Sequence, residues 1–383
     1  MDYNEQLFQE GAADAEPMTQ ALVSLGNLRH NVRSIRERIG EKPGIMGIVK
    51  ANAYGHSALQ VSASLESLGI RDFGVANIHE AVELRTGGSL KKAPSILAFS
   101  SPLPSQFEQY LRHDIDMTVC DAGTIETAEA VAASHGKTMN VQLKVDTGMG
   151  RLGVSPGDAM ELLRKIDSFP HLELKGIYTH FAESSEPEGF TAKQLSLFTG
   201  LASEYEHTAS RKIRKNAGNS GSILTMPDSW LDMVRPGILL YGYHPSDNTA
   251  VRLDVRPVMQ VESKVIFIKD VPAGTTVSYN RTWAAPGPRR IATIAAGYAD
   301  GYFRALSGKA TVTINGKSFP QVGTVTMDQI MVDLGDDRGI EKGDRAVLFG
   351  WDGPSADTVA GIAGTISYEI LCSVSSRVKR VFM

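Results

Sequence analysis

From residue 44 to residue 242 short apolar runs alternate with stretches of helical spacing. The runs are GIMGIVK (44 to 50), DFGVAN (72 to 77), SILAFS (95 to 100), IDMTVC (115 to 120), NVQLKVD (140 to 146), LELKGIYTHF (172 to 181), KIRKNAGN (212 to 219) and VRPGILLYG (234 to 242). Brief, mostly apolar runs bounded by turn-forming residues are the pattern of strands in a covered parallel sheet. Between them SALQVSASLESLG, IHEAVELRTGG, AGTIETAEAVAASHG, PGDAMELLRKIDSF and AKQLSLFTGLASEYEHT carry apolar residues three and four apart and read as helices. A further helix, NLRHNVRSIRERIG, follows the apolar stretch ALVSL (21 to 25). Strands and helices alternating in this number predict a (β/α)8 barrel in preference to an open sheet.

Past residue 250 the pattern changes to strand-like runs separated by turns: PVMQVESKVIFIKDVPAGTTVSYN, RRIATIAAGYADGY, ATVTINGKSFPQVGTVTMDQIMVDLG and DRAVLFG. VTINGKSF has an Asn-Gly pair flanked by β-formers, a hairpin signal. One helical segment, ADTVAGIAGTIS, interrupts the series. The predicted organisation is therefore α/β: an N-terminal tail over 1–20, a (β/α)8 barrel over 21–250, and a mostly β domain over 251–383.

At 383 residues the chain exceeds one ordinary core, which agrees with two domains. The net charge of -4, from 39 basic and 43 acidic residues mixed along the chain, gives no footprint for nucleic acid or an anionic membrane. No apolar run is long enough to span a bilayer, and the acidic N-terminus has no secretory pattern. The two cysteines, Cys120 and Cys372, suit reduced thiols, and the expected location is cytoplasmic. No metal-ligand spacing is present, so the chemistry is expected from side chains or an organic cofactor and the partner is a small molecule.

Barrels of this kind place their chemistry where the strands end and the βα loops begin. That rule gathers Lys50 and Tyr54 after the first strand, Lys144, Asp146 and Arg151 after the fifth, and His180 after the sixth. Asn219, Ser220 and Gly221 follow the seventh strand, and Arg235, Gly237 and Ile238 belong to the eighth. NAGNSGS has the composition of an anion cradle, in the position usual for phosphate in such barrels. A lysine and a phosphate cradle on one rim point to pyridoxal 5'-phosphate. Taken singly, each residue has a plainer reading. Lys50 and Lys144 could extend to solvent, the tyrosines and His180 could be packing residues, Arg151 and Arg235 ordinary ion-pair partners, and Asp328 a turn residue. Those readings do not explain why all the barrel positions fall on one rim.

KANAYGHS, KVDTGMGRLGV, GIYTHFA, GNSGS, MVRPGILLYG, VSYNRT, GYADGYFR and TVTMDQIMVDLG stand in this order and at these separations. From about residue 18 to the end the chain resembles bacterial alanine racemase, a fold-type III pyridoxal-phosphate enzyme. The resemblance implies a homodimer with shared sites that interconverts L- and D-alanine and supplies D-alanine for peptidoglycan. It makes Lys50 the lysine that condenses with the cofactor aldehyde and then serves as one base. Tyr279, from the partner subunit, is the second base on the opposite face. Tyr54, Asn219, Ser220, Gly237, Ile238 and Tyr368 would hold the cofactor's phosphate end. His180 would pack beside its ring, and Arg235 would bond the pyridine nitrogen. Arg151 would bond the cofactor's phenolic oxygen and the substrate carboxylate, near which the partner adds Met327 and Asp328. Lys144 matches a lysine carried carbamylated in many members. A phenol is a poor base at neutral pH unless positive charge favours the phenolate, and His180 with Arg235 would supply that field.

The chain departs from the family pattern at three positions. Ser57 stands where YGHG is usual, a small loss; Thr324 replaces a frequent arginine of the substrate entrance, which would alter access; Lys379 replaces a common proline. Thr324 motivates an alternative, a broader amino-acid racemase that takes serine. A decarboxylase of the same fold type lacks support, because its glycine-triplet loop is not found. A non-catalytic pyridoxal-phosphate carrier would end near the barrel.

Overall fold

A computed structural model describes residues 17–246 and 251–383. The first sixteen residues of the expected tail, and the expected boundary at residue 250, lie outside the described residues. Two units emerge, one of Leu25–Arg256 and the other of the segment ending at Ser24 together with Pro257–Met383.

The first unit is the predicted barrel. Its parallel strands are β2 (Gly44–Ile48), β3 (Asp72–Val75), β4 (Ser95–Ala98), β5 (Asp116–Val119), β6 (Met139–Lys144), β7 (Leu172–Tyr178), β8 (Lys215–Asn216) and β9 (Met233–Val234). They form one sheet in the order β8-β7-β6-β5-β4-β3-β2-β9. Between β8 and β9 the backbone closes the gap with single bonds, Arg235 N to Gly218 O at 2.7 Å and Asp232 N to Lys215 O at 3.2 Å. The strands bury Ile45, Met46, Ile48, Phe73, Val75, Ile96, Leu97, Met117, Val119, Val141 and Leu143. Each such side chain contributes about 1.5–3 kcal/mol on leaving water, which is why the apolar runs locate the strands so well. Helices follow the strands where the spacing predicts them, and several carry side-chain caps: Asn77, Asp121 and Ser155 each accept from the backbone N-H three residues on.

Two details differ from expectation. The eighth run, 234 to 242, is a strand only at its start. Pro236 has no N-H to donate, and Ile238–Tyr241 fold into a buried turn in which Leu240 N bonds Gly237 O and Tyr241 N bonds Ile238 O. Gly237 and Ile238 thus lie just beyond the eighth strand. The apolar stretch at residue 21 does not open the barrel: β1 (Gln20–Val23) is a strand of the other unit. It runs antiparallel to β10 (Met259–Val271) and parallel to β18 (Lys379–Phe382), pairings that a local pattern cannot reveal.

In that second unit β11 (Thr276–Val277) and β12 (Trp283–Ala284) form a small hairpin, while β10, β13 (Arg289–Ile294), β16 (Ile330–Gly335), β15 (Lys317–Val322), β14 (Thr311–Ile314) and β17 (Arg345–Phe349) pair antiparallel in a closed ring. The Asn315-Gly316 turn joins β14 to β15 with both residues at positive φ, 49° and 76°, as the hairpin signal requires. Two helices, Ala356–Ala363 and Ser367–Ser373, stand where one was expected.

Candidate functional site

Lys50 follows β2 by two residues, and the chain then does something its composition does not announce. Ala51, Asn52, Ala53 and Tyr54 have φ of 53°, 53°, 55° and 52°, a left-handed turn without a glycine. Such a conformation costs about 1–2 kcal/mol per residue, so the surroundings must enforce it. They do so with Glu80, whose carboxylate accepts from Ala51 N at 2.8 Å and from Ala76 N at 2.7 Å, tying two βα loops together. Asn52 Oδ1 accepts from Ala58 N at 2.8 Å and closes the far side. Four residues after Lys50, Tyr54 is buried with its ring stacked on Tyr241, centroids 4.6 Å apart. Tyr241 is itself fixed by donating to the Ile48 carbonyl at 2.8 Å.

The Tyr54 phenol lies against the backbone of Gly237, where an added Cβ would stand 2.4 Å from its oxygen. Gly237 N donates to Ser220 Oγ at 2.9 Å. Asn219 caps the short helix Ser220–Thr225, its side chain accepting from Ser222 N, and bridges in parallel to Arg235. Tyr54, Asn219, Ser220, Gly237 and the buried Ile238 therefore meet around one cradle of neutral hydroxyl and amide groups.

Arg235 is buried and spends its guanidinium on fixed acceptors: Asn216 Oδ1, the Thr179 carbonyl at 2.7 Å and the Ala217 carbonyl at 3.2 Å. Burial lowers its pKa to about 10, which leaves it charged at neutrality. His180 Nδ1 lies 3.4 Å from its Nη2. Burial first, and then the charges of Arg235, Lys144, Arg151 and Lys50, hold the imidazole well below 6.5. His180 is consequently neutral at pH 7 and does not supply the positive charge expected of it, whereas buried Arg235 stays charged. Lys144 is 5% exposed, its ammonium 4.6 Å from the Tyr178 ring centroid, and so is no solvent-facing rim lysine. Burial, Arg235 and Arg151 push the amine well below 10.5, against a smaller opposing pull from Asp146. Arg151 is exposed in the loop after β6. Asp146 organises that loop by accepting from the N-H groups of Gly148, Met149 and Gly150.

Tyr279, Met327, Asp328 and Tyr368 belong to the β unit. Tyr279 and Met327 are exposed by 68% and 52%, unusual for such side chains. Arg377 holds Asp328 at 2.8 Å and grips both Asp300 carboxylate oxygens at 2.7 and 2.9 Å. Tyr368 lies in the helix Ser367–Ser373. Thr324 is 4% exposed and its hydroxyl is engaged with the backbone of Tyr279. Ser57 has φ 78° and ψ 104°, a conformation suited to glycine, so its departure is more than a small loss.

Glu80, Tyr241 and Arg377 escape sequence reasoning because each acts on a residue far along the chain; only their presence beside known motifs hints at them. The arrangement fits a phosphate-bearing aldehyde cofactor on structural grounds. A cradle that a Cβ would fill offers neutral donors, and Lys50, Arg151 and Arg235 together create a field that an anion would balance. Among the described residues no acidic, histidine or cysteine cluster could hold a metal ion, and no helix is long and apolar enough to cross a membrane.

Residues 23–245 match the model of the alanine racemase N-terminal domain, and residues 258–382 that of the alanine racemase C-terminal domain. The chain is 60% identical over 370 residues to an alanine racemase of Chlorobaculum tepidum, covering 97% of each. It is 40% identical to an alanine racemase of Treponema denticola, covering 95% of this chain and 98% of that one. Among solved structures, an alanine racemase of Clostridium difficile 630 superposes with a TM-score of 0.92 at 36% identity, covering 97% of each chain. With both domains matched and the barrel and β unit in place, the chain belongs to the alanine racemase family of isomerases.

Proposed function

We propose that this protein interconverts L- and D-alanine as a pyridoxal-phosphate-dependent homodimer in which Lys50 and the partner's Tyr279 exchange protons with opposite faces of the substrate. The observation that carries the reading is the cradle of Tyr54, Ser220 and Gly237 on the same rim as Lys50, with charged Arg235 and neutral His180 beside it. When bound, the cofactor supplies the electron sink that makes an amino-acid Cα proton removable. Tyr54, Asn219, Ser220, Gly237 and Ile238 would grip its phosphate, with Tyr368 contributed by the β unit. Arg235 would donate a hydrogen bond to the ring nitrogen and, held on three acceptors, keep its own proton. An Arg235 that keeps its proton would limit charge build-up on the ring and so favour return of a proton to Cα over side reactions.

Lys50 Nζ takes or returns the Cα proton on one face, and Tyr279 Oη does so on the other. The high exposure of Tyr279 and Met327 supports a surface that a second copy of the chain covers. Arg151, with Met327 and Asp328, would orient the substrate carboxylate. Lys144 is suited to carbamylation because burial, Arg235 and Arg151 favour its uncharged amine. Its nitrogen would attack the carbon of dissolved carbon dioxide, forming an N–C bond and releasing one proton to solvent, and the resulting anion would orient Arg151. Neither cysteine takes part in a disulfide, in keeping with a cytoplasmic protein that would feed D-alanine to peptidoglycan.

Purified protein supplied with pyridoxal phosphate is expected to convert optically pure L-alanine to the racemate, with kcat/KM for alanine well above that for serine. Absence of D-alanine would end the reading. Comparable serine turnover would favour the broader racemase that Thr324 motivates.

A further inference from the structure

Tyr279 sits in a turn that its neighbours do not favour. Ser278, Asn280 and Arg281 have φ of 67°, 61° and 51°, values that asparagine tolerates but that cost serine and arginine. A turn of this kind persists only where something else fixes it, and the adjoining segment Gly323-Thr324 does so. Ser278 Oγ donates to the Thr324 carbonyl at 2.6 Å, while Thr324 Oγ1 donates to the Tyr279 carbonyl at 2.9 Å. The two bonds run in opposite directions between the same two strips of backbone, which sets both their offset and their tilt. Gly323, at φ 70°, permits the approach: a Cβ there would come within 2.7 Å of the Val277 carbonyl and 2.9 Å of the Ser278 Cβ. The Thr324 side chain is sealed from water, whereas Tyr279 is 68% exposed. The aim of the phenol therefore depends on its clamped backbone more than on packing around its ring.

We propose that Thr324, together with Ser278, is a positioning residue that aims Tyr279 at the substrate Cα. The inference rests on Tyr279 being the second base. Losing the Thr324 hydroxyl keeps the phenol on the chain but lets its backbone and aim drift, so the one proton transfer that Tyr279 performs slows while the transfer at Lys50 does not.

The test uses full-length holoenzyme of Thr324→Val, Ser278→Ala and the conservative Thr324→Ser, with Tyr279→Phe as the reference. Tyr279→Phe is expected to stop exchange of the Cα hydrogen with heavy water for one alanine enantiomer only, which identifies the face that Tyr279 serves. For Thr324→Val, kcat/KM is expected to fall about tenfold, the equivalent of one lost hydrogen bond. The Cα-deuterium isotope effect should rise for the enantiomer identified by Tyr279→Phe and fall toward unity for the other. Ser278→Ala should behave alike, and Thr324→Ser should match the parent. In cofactor-free protein, amide hydrogen exchange across residues 277 to 282 should quicken in Thr324→Val and Ser278→Ala. A variant that was merely less folded would lower the rate and leave both isotope effects unchanged, and that result overturns the inference. If Tyr279→Phe leaves exchange intact for both enantiomers, the base assignment itself fails and the inference with it.

Discussion

A Cβ on Gly237 would stand 2.4 Å from the hydroxyl of Tyr54, although the two residues lie on loops after the first and last barrel strands. The contact makes the missing side chain at 237 part of the cradle. Gly237→Ala is therefore expected to push the Tyr54 phenol aside and weaken pyridoxal-phosphate binding at least tenfold, while the apo fold survives. Titration of the apo protein with cofactor, followed by absorbance, measures this directly. An unchanged affinity would mean that Tyr54 and Gly237 do not share a ligand.

Ser57 makes the opposite kind of prediction. Its φ of 78° is one that glycine adopts freely and serine does not. Ser57→Gly is expected to stabilise the protein by about 1 kcal/mol, visible as a rise in the thermal midpoint with catalytic rates retained. A lower midpoint would show that the serine side chain contributes more than its backbone costs.

These two positions mark where sequence reading succeeds and where it stops. Most of the barrel strands are legible because burial on both faces forces them into short apolar runs, although the two-residue Lys215–Asn216 carries none, and the rim residues follow from the rule that places chemistry at strand ends. The motif order carries the family. The left-handed turn at Ala51–Tyr54 is illegible, because alanine and tyrosine give no sign of positive φ and the enforcing Glu80 lies 29 positions away. Gln20–Val23 reads as part of the barrel because its partners, Met259–Glu262 and Lys379–Phe382, are distant in sequence. The neutrality of His180 also needed three dimensions, since it depends on burial and on basic groups, Arg235 foremost, brought together by different strands.

Lys144 links stability to pH. Its amine is held below the ordinary 10.5 by burial first and then by Arg235 and Arg151. The unfolded chain thus binds a proton that the folded chain releases, and stability falls as pH drops from about 10.5 toward the lower folded value. Lys144→Met removes the penalty. In carbon-dioxide-free buffer the cofactor-free variant is expected to gain about 1–3 kcal/mol near pH 7, a gain that shrinks as pH approaches 10.5. Denaturant unfolding at several pH values checks it; a gain that grows with pH would have the wrong sign. In bicarbonate, intact-mass measurement of the parent protein should show one added carbon dioxide that Lys144→Met lacks.

The pairing of Lys50 with a partner's Tyr279 is tested most directly by complementation. Lys50→Ala and Tyr279→Phe, each expected to be inactive alone, are co-expressed with different tags and the mixed dimer is isolated. If each site draws its tyrosine from the other subunit, the mixed dimer keeps one intact site of its two and should recover about half the parental alanine racemase activity. If the mixed dimer is as inactive as the two variants alone, Lys50 and Tyr279 do not meet across a subunit boundary, and the account of the site is contradicted.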